Sequence, residues 1–262
     1  MSEQPLLPAE VPKPSSSLLG RLANVYAAPG EVFDEIKSAP ASVTNWLVPV
    51  LLGCLVGVIY TLVAFSQESV LHSLRETQEA RVRKQFQKQV DAGKMSREQA
   101  DRAADQALQA MEQFTGPTMM KVFGSVGAVA GSFIFVFLVA LVIWLLGAKL
   151  FKGAFPYMKA VETAGLAGMI NALGGIIAML LVVTLGNMAM TPGPVLLLRE
   201  FDDANRIHRL LSQMNLVMLW YLAVLALGLA RLSRVSYGKA ASWLFGIWGL
   251  LVLAFTLPGW GR

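Results

Sequence analysis

Five long runs of apolar residues, nearly free of charged side chains, dominate this chain. Each run is close to the roughly 20 residues with which a helix crosses a hydrocarbon core of about 30 Å. Backbone N–H and C=O groups find no water in hydrocarbon, so runs of this length must form helices. The pattern predicts an all-α fold, a polytopic membrane helix bundle of about five transmembrane helices. The predicted spans are 46–65, 122–146, 163–185, 216–232 and 241–257.

The segment before the first span divides into two parts. Residues 1–16 contain four prolines and a serine run, which is typical of a disordered tail. Residues 17–40 carry two short apolar stripes at helical spacing, too short and too polar on one face to span. We expect two surface amphipathic helices here, lying on the membrane or against the bundle. The first transmembrane helix with its flanks then occupies 41–66.

A long polar segment, 67–118, separates the first span from the second. Its second half begins with Ser96 and Gln99 at capping-box spacing, and Gly93 just before them is a plausible helix stop. This predicts two antiparallel helices with a turn at 91–95. The first half carries six basic against four acidic residues and the second two against four, so opposite net charges favour their pairing. Such a polar helical hairpin either caps the bundle or serves as a docking arm for a protein partner.

The remaining residues, 119–262, hold the second to fifth spans and short loops. Overall, 55% of the chain is hydrophobic and 15% is charged, whereas soluble domains carry about 25% charged residues. The net charge of +5 does not indicate a nucleic-acid partner, because the basic residues lie mainly at the ends of apolar runs. Cys54 is the single cysteine, so no internal disulfide can form. The partners expected from this composition are membrane lipids.

Short loops indicate the orientation in the membrane. The loops after the second and fourth spans lie on the same side of a five-span bundle and are rich in basic residues. Because basic loops stay in the cytosol, we expect the N-terminus in the cytosol and the C-terminus outside. The hairpin, with eight basic residues, argues for the opposite orientation, but most of them lie far from the span ends. The basic residues of the two loops are Lys149, Lys152, Lys159, Arg231, Arg234 and Lys239.

Small residues recur on one ridge of the third span and along the second span. Such ridges let helices approach closely in lipid, where no hydrophobic drive brings helices together. They serve either packing inside the bundle or contact between copies in a homo-oligomer, and Gly174–Gly175 could also kink the third span. The ridge residues are Ala160, Ala164, Gly168 and Ala172 in the third span and Gly124, Gly127 and Gly131 in the second.

Three polar residues in or near the third span are candidates for a functional site. Glu162 lies at the start of that span, three residues after Lys159 on the same helix face. The two form either an interfacial ion pair or part of a substrate or ion site, since a carboxylate in hydrocarbon usually marks a pathway. Asn171 lies deeper in the span, where we expect its amide to bond to a neighbouring helix.

Nothing else in the sequence indicates a reaction centre. It contains no His-Glu-x-x-His motif, no paired cysteines and no carboxylate cluster within a span. Neither a phosphate-binding glycine loop nor an intramembrane nucleophile with a base is present. We therefore expect no enzyme activity, no cofactor and no catalytic or metal-binding residues.

Two stretches resemble the YIP family of small multispanning membrane proteins. The first is residues 21–36, RLANVYAAPGEVFDEI; the second is LVMLW at 216–220, followed by ALGL at 226–229 and a short basic loop. The resemblance covers roughly residues 20–258 and agrees with the five-span plan. It implies a non-enzymatic role, which in eukaryotic members is associated with Rab-type GTPases and vesicle traffic.

This sequence lacks the Asp-Leu-Tyr-Gly-Pro motif of those eukaryotic members and looks more like the bacterial branch. The resemblance therefore implies fold, topology and a bacterial cytoplasmic membrane, and no binding residue carries over. Together the observations favour a membrane organiser or adaptor. The alternative is a transporter or channel for a small solute or lipid. A cavity that reaches Asn171 or Glu162 would favour transport.

Overall fold

The computed structural model describes residues 16–198, 201–202 and 205–256, without the side chains of 113–115. The predicted tail, except for Ser16, and the end of the last predicted span at Leu257 therefore lie outside the described residues. Within these ranges the regular elements are all helical. They are α1 Leu18–Ala27, α2 Pro29–Ser38, α3 Thr44–Ala64, α4 Glu68–Asp91, α5 Arg97–Thr115, α6 Pro117–Trp144, α7 Tyr157–Leu185, α8 Arg206–Gln213, α9 Leu216–Ser233 and α10 Tyr237–Thr256.

Five of these helices, α3, α6, α7, α9 and α10, are long and apolar enough to cross a membrane. They confirm the predicted polytopic helix bundle. A π-helical turn at Leu145–Leu150 extends α6 beyond its predicted end. The helix α7 begins at Tyr157, six residues before the predicted start of the third span, so Glu162 lies in its second turn.

The helix α7 is the centre of the bundle and packs against α3, α6 and α9. Three of its glycines form the closest contacts, because a side chain at Gly165, Gly174 or Gly175 would collide with a neighbouring helix. A Cβ at Gly165 would meet the backbone of Trp46, and one at Gly174 would lie 2.5 Å from Val217. Gly175 faces Val56 in the same way, and α7 runs through Gly174–Gly175 as one continuous helix. At these positions the small residues pack inside the bundle, as one of the two interpretations predicted.

The helix α9 starts part of the way along α7 rather than at its end. Gly174 lies opposite Val217, and α7 continues for about 16 Å beyond that level to Leu185. At the start of α9, the Leu216 N–H donates to the Pro192 carbonyl at 2.9 Å. Irregular backbone around Pro192 therefore lies at the level where α9 begins.

The hairpin forms as predicted between the first two spans. Ser96 and Gln99 make a complete capping box at the start of α5, and Gly93 has the left-handed φ of 67° in the turn. Arg83 of α4 and Asp105 of α5 pair across the hairpin at 3.2 Å. At its base, Val70 is buried together with Ala64 and Val182 of the bundle.

The two amphipathic helices α1 and α2 lie against the bundle. Phe33 is fully buried beside Gly228 of α9, and Arg231 pairs with Asp34 at 3.4 Å. The Tyr26 hydroxyl donates to the Met169 carbonyl of α7 at 2.6 Å. Burial raises the pKa of Tyr26, so its phenol keeps the proton for this hydrogen bond. Both helices therefore pack against the bundle.

The close approach at Gly165 yields a stability prediction. Gly165→Ala should lower the free energy of unfolding by about 1–3 kcal/mol, because the new methyl group collides with the backbone of α3. Thermal unfolding of the detergent-solubilised protein measures the effect. Gly127→Ala is the matched control, since a Cβ there meets nothing within 4 Å. Equal melting temperatures for the two variants would contradict the close packing of α3 on α7.

Candidate functional site

Glu162 is fully buried where α7 meets the start of α3. Its Oε1 atom accepts a hydrogen bond from the Ser42 backbone N–H at 2.8 Å and another from the Asn45 side-chain amide at 2.7 Å. Asn45 belongs to the first turn of α3, and Ser42 to the connection from α2. One carboxylate therefore holds the first span to the central helix.

Lys159 completes this group from one turn earlier on α7. Its Nζ lies 2.7 Å from Oε2 of Glu162 and also donates to the Ile36 carbonyl of α2 at 2.6 Å. Three residues of separation place the two side chains on one face of the helix, as the sequence spacing predicts. We call Ser42, Asn45, Lys159 and Glu162 the polar node.

The polar node is a buried ion pair with further hydrogen bonds from neighbouring segments. The predicted pairing of Lys159 with Glu162 is confirmed, but the pair is buried beneath α2 and α3 instead of open to the interface. Burying two charges is costly unless hydrogen bonds complete them, and the backbone of Ser42 and Ile36 supplies such bonds. With its donors already in place, the carboxylate anchors three segments of chain.

Sequence reasoning missed Ser42 and Asn45 as members of the node. Asn45 stands one residue before the first predicted span, where a polar residue attracts no notice as a helix flank. Its burial to 1% exposure is the unusual fact, and it depends on the packing of α7 against that position. A polar side chain directly before a span is therefore a weak sequence signal of a functional site. Its contacts in the folded structure are needed to identify it as part of one.

A second candidate site is a cavity of about 300 Å³ between α3, α6 and α7. Its walls are apolar side chains and glycines, and none of its lining residues is charged. Asn171 lies in this wall, and its side-chain amide makes no hydrogen bond to another residue in the described part of the chain. The expected bond from its amide to a neighbouring helix is therefore not formed.

The structure brings Lys159 and Glu162 together and leaves Asn171 apart from them. Asn171 follows Glu162 by nine residues, about 14 Å along α7. Ala164 and Gly165 line the upper end of the cavity, whereas neither member of the ion pair does. Among the described residues, no three His, Cys, Asp or Glu side chains stand close enough to hold a metal ion.

The polar node yields a test of its structural role. Glu162→Leu should lower the free energy of unfolding by about 3–5 kcal/mol, because it leaves the Lys159 ammonium buried without its counter-charge. Lys159→Met combined with Glu162→Gln should recover at least half of this loss, since Gln keeps an acceptor for Ser42 and Asn45. Thermal unfolding in detergent measures both. A double variant as unstable as Glu162→Leu would contradict this account.

Comparison with known proteins identifies the family of this chain. The family model of the Yip1 domain matches residues 23–257, nearly the whole of the described bundle. Neither the comparison with curated proteins nor that with solved structures gives a match. The matched segment includes α3, α6, α7, α9 and α10 in full, together with the hairpin. This chain is an integral, multi-pass membrane protein that belongs to the Yip1 domain family.

Proposed function

We propose that this protein is a non-enzymatic membrane organiser or adaptor, in which the bundle is the anchor and the hairpin docks a protein partner. The observation that supports the proposal is the projection of the hairpin. The helix α4 has 24 residues and is about 36 Å long, and beyond Val70 its main packing partner is α5. A structure that served only to cap the bundle would lie on it rather than extend away from it.

The surface of the hairpin is suited to a charged protein partner. Lys84 and Lys88 are exposed on one face of α4, and Glu98 and Asp101 are exposed on α5. The arm thus offers a basic strip and an acidic strip on a rigid pair of helices. Complementary charges guide a partner to such a surface and fix its orientation.

A non-enzymatic role is consistent with the chemistry of the bundle. Its buried carboxylate is engaged by Ser42, Asn45 and Lys159, and it serves as an anchor. The cavity wall presents an amide and hydroxyl groups but no charged group that could act as acid or base. The adaptor proposal therefore needs no reaction centre.

We further propose a bacterial cytoplasmic membrane, with the N-terminus in the cytosol. Helices α1 and α2, the α6–α7 loop and the α9–α10 loop lie at one end of the bundle, with Lys159 bonded to Ile36 and Arg231 paired with Asp34. The sequence of this end is basic, which supports a cytosolic location. The hairpin then lies outside. Self-association is also proposed, along the open ridge of Gly127 and Gly131 on α6.

A transporter or channel for a small solute or lipid is the second candidate function. The observation that favours it is the cavity that reaches Asn171. The irregular backbone around Pro192 at the level of α9's start adds to it, because transporters often carry broken or irregular segments within the membrane. The apolar walls favour a lipid over a polar solute.

Shortening the hairpin tests the adaptor proposal. We replace 78–108 with a short Gly-Ser linker, which keeps the Val70 contact with the bundle. The variant should reach the membrane at the level of the intact protein, because the five spans remain. It should lose the stoichiometric protein partner that crosslinking in native membranes and mass spectrometry recover with the intact chain.

A second variant reverses the charge of the hairpin surface without shortening the hairpin. Lys84→Glu with Lys88→Glu changes two exposed side chains and should weaken recovery of the same partner. Recovery of self-crosslinks and lipid alone from the intact protein would overturn the docking arm. If the shortened variant failed to accumulate in the membrane, the hairpin would be required for folding.

Orientation has a separate test by cysteine labelling. Lys94→Cys places a thiol in the hairpin turn and Gly238→Cys places one after α9, both at exposed positions. A membrane-impermeant maleimide added to intact cells should label Lys94→Cys and leave Gly238→Cys unlabelled. The unchanged chain is the blank, because its Cys54 is buried. The reverse labelling pattern would place the N-terminus outside.

A further inference from the structure

The cavity between α3, α6 and α7 lies within the spans, along the lipid-crossing part of the bundle. On α7 it extends from Ala164 to Ala178, and 14 residues of helix correspond to about 21 Å. This is a large fraction of a hydrocarbon core of about 30 Å. The cavity is therefore a long slot that follows the helix axes, rather than a compact pocket.

Glycines give the slot its width. Gly53 of α3 and Gly168 of α7 both line it, and a Cβ built on either would meet nothing within 4 Å. At Gly165 and again at Gly175, in contrast, the same two helices touch, so the slot opens between these two contacts. Pro49, inside α3, also lines the slot and interrupts the helix hydrogen bonds beside it. The sequence thus keeps open a space that ordinary side chains would fill.

The polarity of the slot limits what can occupy it. Its walls carry no charge, and its Ser132 hydroxyl already donates to the Ala128 carbonyl at 2.8 Å. Water gains little in such a slot because it finds few polar partners there. The solvent at this depth is the acyl chains of lipids, which match a narrow apolar slot in shape and in polarity.

Asn171 adds one polar feature to this apolar wall. It lies about 9 Å along α7 from the Gly165 contact, and its side-chain amide makes no hydrogen bond to any described residue. A side-chain amide without a partner in hydrocarbon is costly, so a ligand that brings an acceptor is favoured over a pure hydrocarbon. The ester carbonyl at the head of an acyl chain is such an acceptor.

We propose that this slot binds one acyl chain of a membrane phospholipid, with the Asn171 amide donating to the ester carbonyl of that chain. The site depends on α3, α6 and α7 and makes no use of the hairpin. It also names the ligand class for the second candidate function, because a lipid held at this depth is partly withdrawn from its leaflet. Binding itself requires neither transport nor a protein partner.

Slot-filling variants test the proposal. The intact protein is reconstituted in vesicles of phosphatidylethanolamine and phosphatidylglycerol that contain a phosphatidylethanolamine with a diazirine in its acyl chain. After illumination, peptide mapping should locate the crosslink on the Ala164–Ala178 segment, and excess unlabelled lipid should reduce it. Gly53→Leu and Gly168→Leu should each abolish that crosslink, because the leucine occupies the slot. Gly246→Leu, at an exposed position of α10 outside the slot, should retain it.

A second measurement separates the amide from the apolar walls. Native mass spectrometry of the detergent-purified protein should find one retained phospholipid, and Asn171→Leu should weaken its retention by about fivefold, as expected for one hydrogen bond within the membrane. Unchanged phospholipid retention in Asn171→Leu would show that the amide takes no part in binding, contrary to the proposal.

The proposal would be overturned if the crosslinks were spread evenly over the outer faces of α6 and α10 and the slot-filling variants changed none of them. Both leucine variants are compared with the intact chain by thermal unfolding, so a folding defect is recognised. The shortened hairpin should keep the slot crosslink. A failed docking arm and a failed lipid site therefore give different results.

Discussion

The buried ion pair of Lys159 and Glu162 is the interaction on which the rest of the structure depends. It joins α7 to α2 through the Ile36 carbonyl and to α3 through Ser42 and Asn45. Charges placed this far from water must be fully compensated, so the chain segments that supply the compensation are held in fixed positions. The amphipathic helices and the first span thereby acquire one arrangement around the central helix.

The attachment of α3 to α7 at the polar node is followed, along the same two helices, by a close contact and then by an open slot. Just below the polar node, Gly165 lets the backbone of α3 touch α7 near Trp46. Farther along, Pro49 and the glycines at 53 and 168 leave the two helices apart, and the slot with Asn171 opens between them. The polar node and the slot are therefore consecutive sections of the interface between α3 and α7.

The hairpin is separate from the polar node and from the slot. Its two helices are stabilised by each other, through the Arg83–Asp105 pair and the buried Ala100 and Ala104, and by Val70 at the base. An arm with its own internal support can present a constant surface without disturbing the bundle. This separation of bundle, slot and hairpin supports the proposed role as a membrane organiser or adaptor.

The sequence by itself determined the spans, the hairpin and the family resemblance, because a lipid-length apolar run and a capping box are local patterns. It also placed Lys159 and Glu162 on one helix face, since helical spacing is local too. Only the tertiary structure decided that this pair is buried, that Asn45 completes it and that Asn171 lines a slot. Burial and cavity shape depend on which distant residues meet, and residue spacing within one helix carries no information about its neighbours.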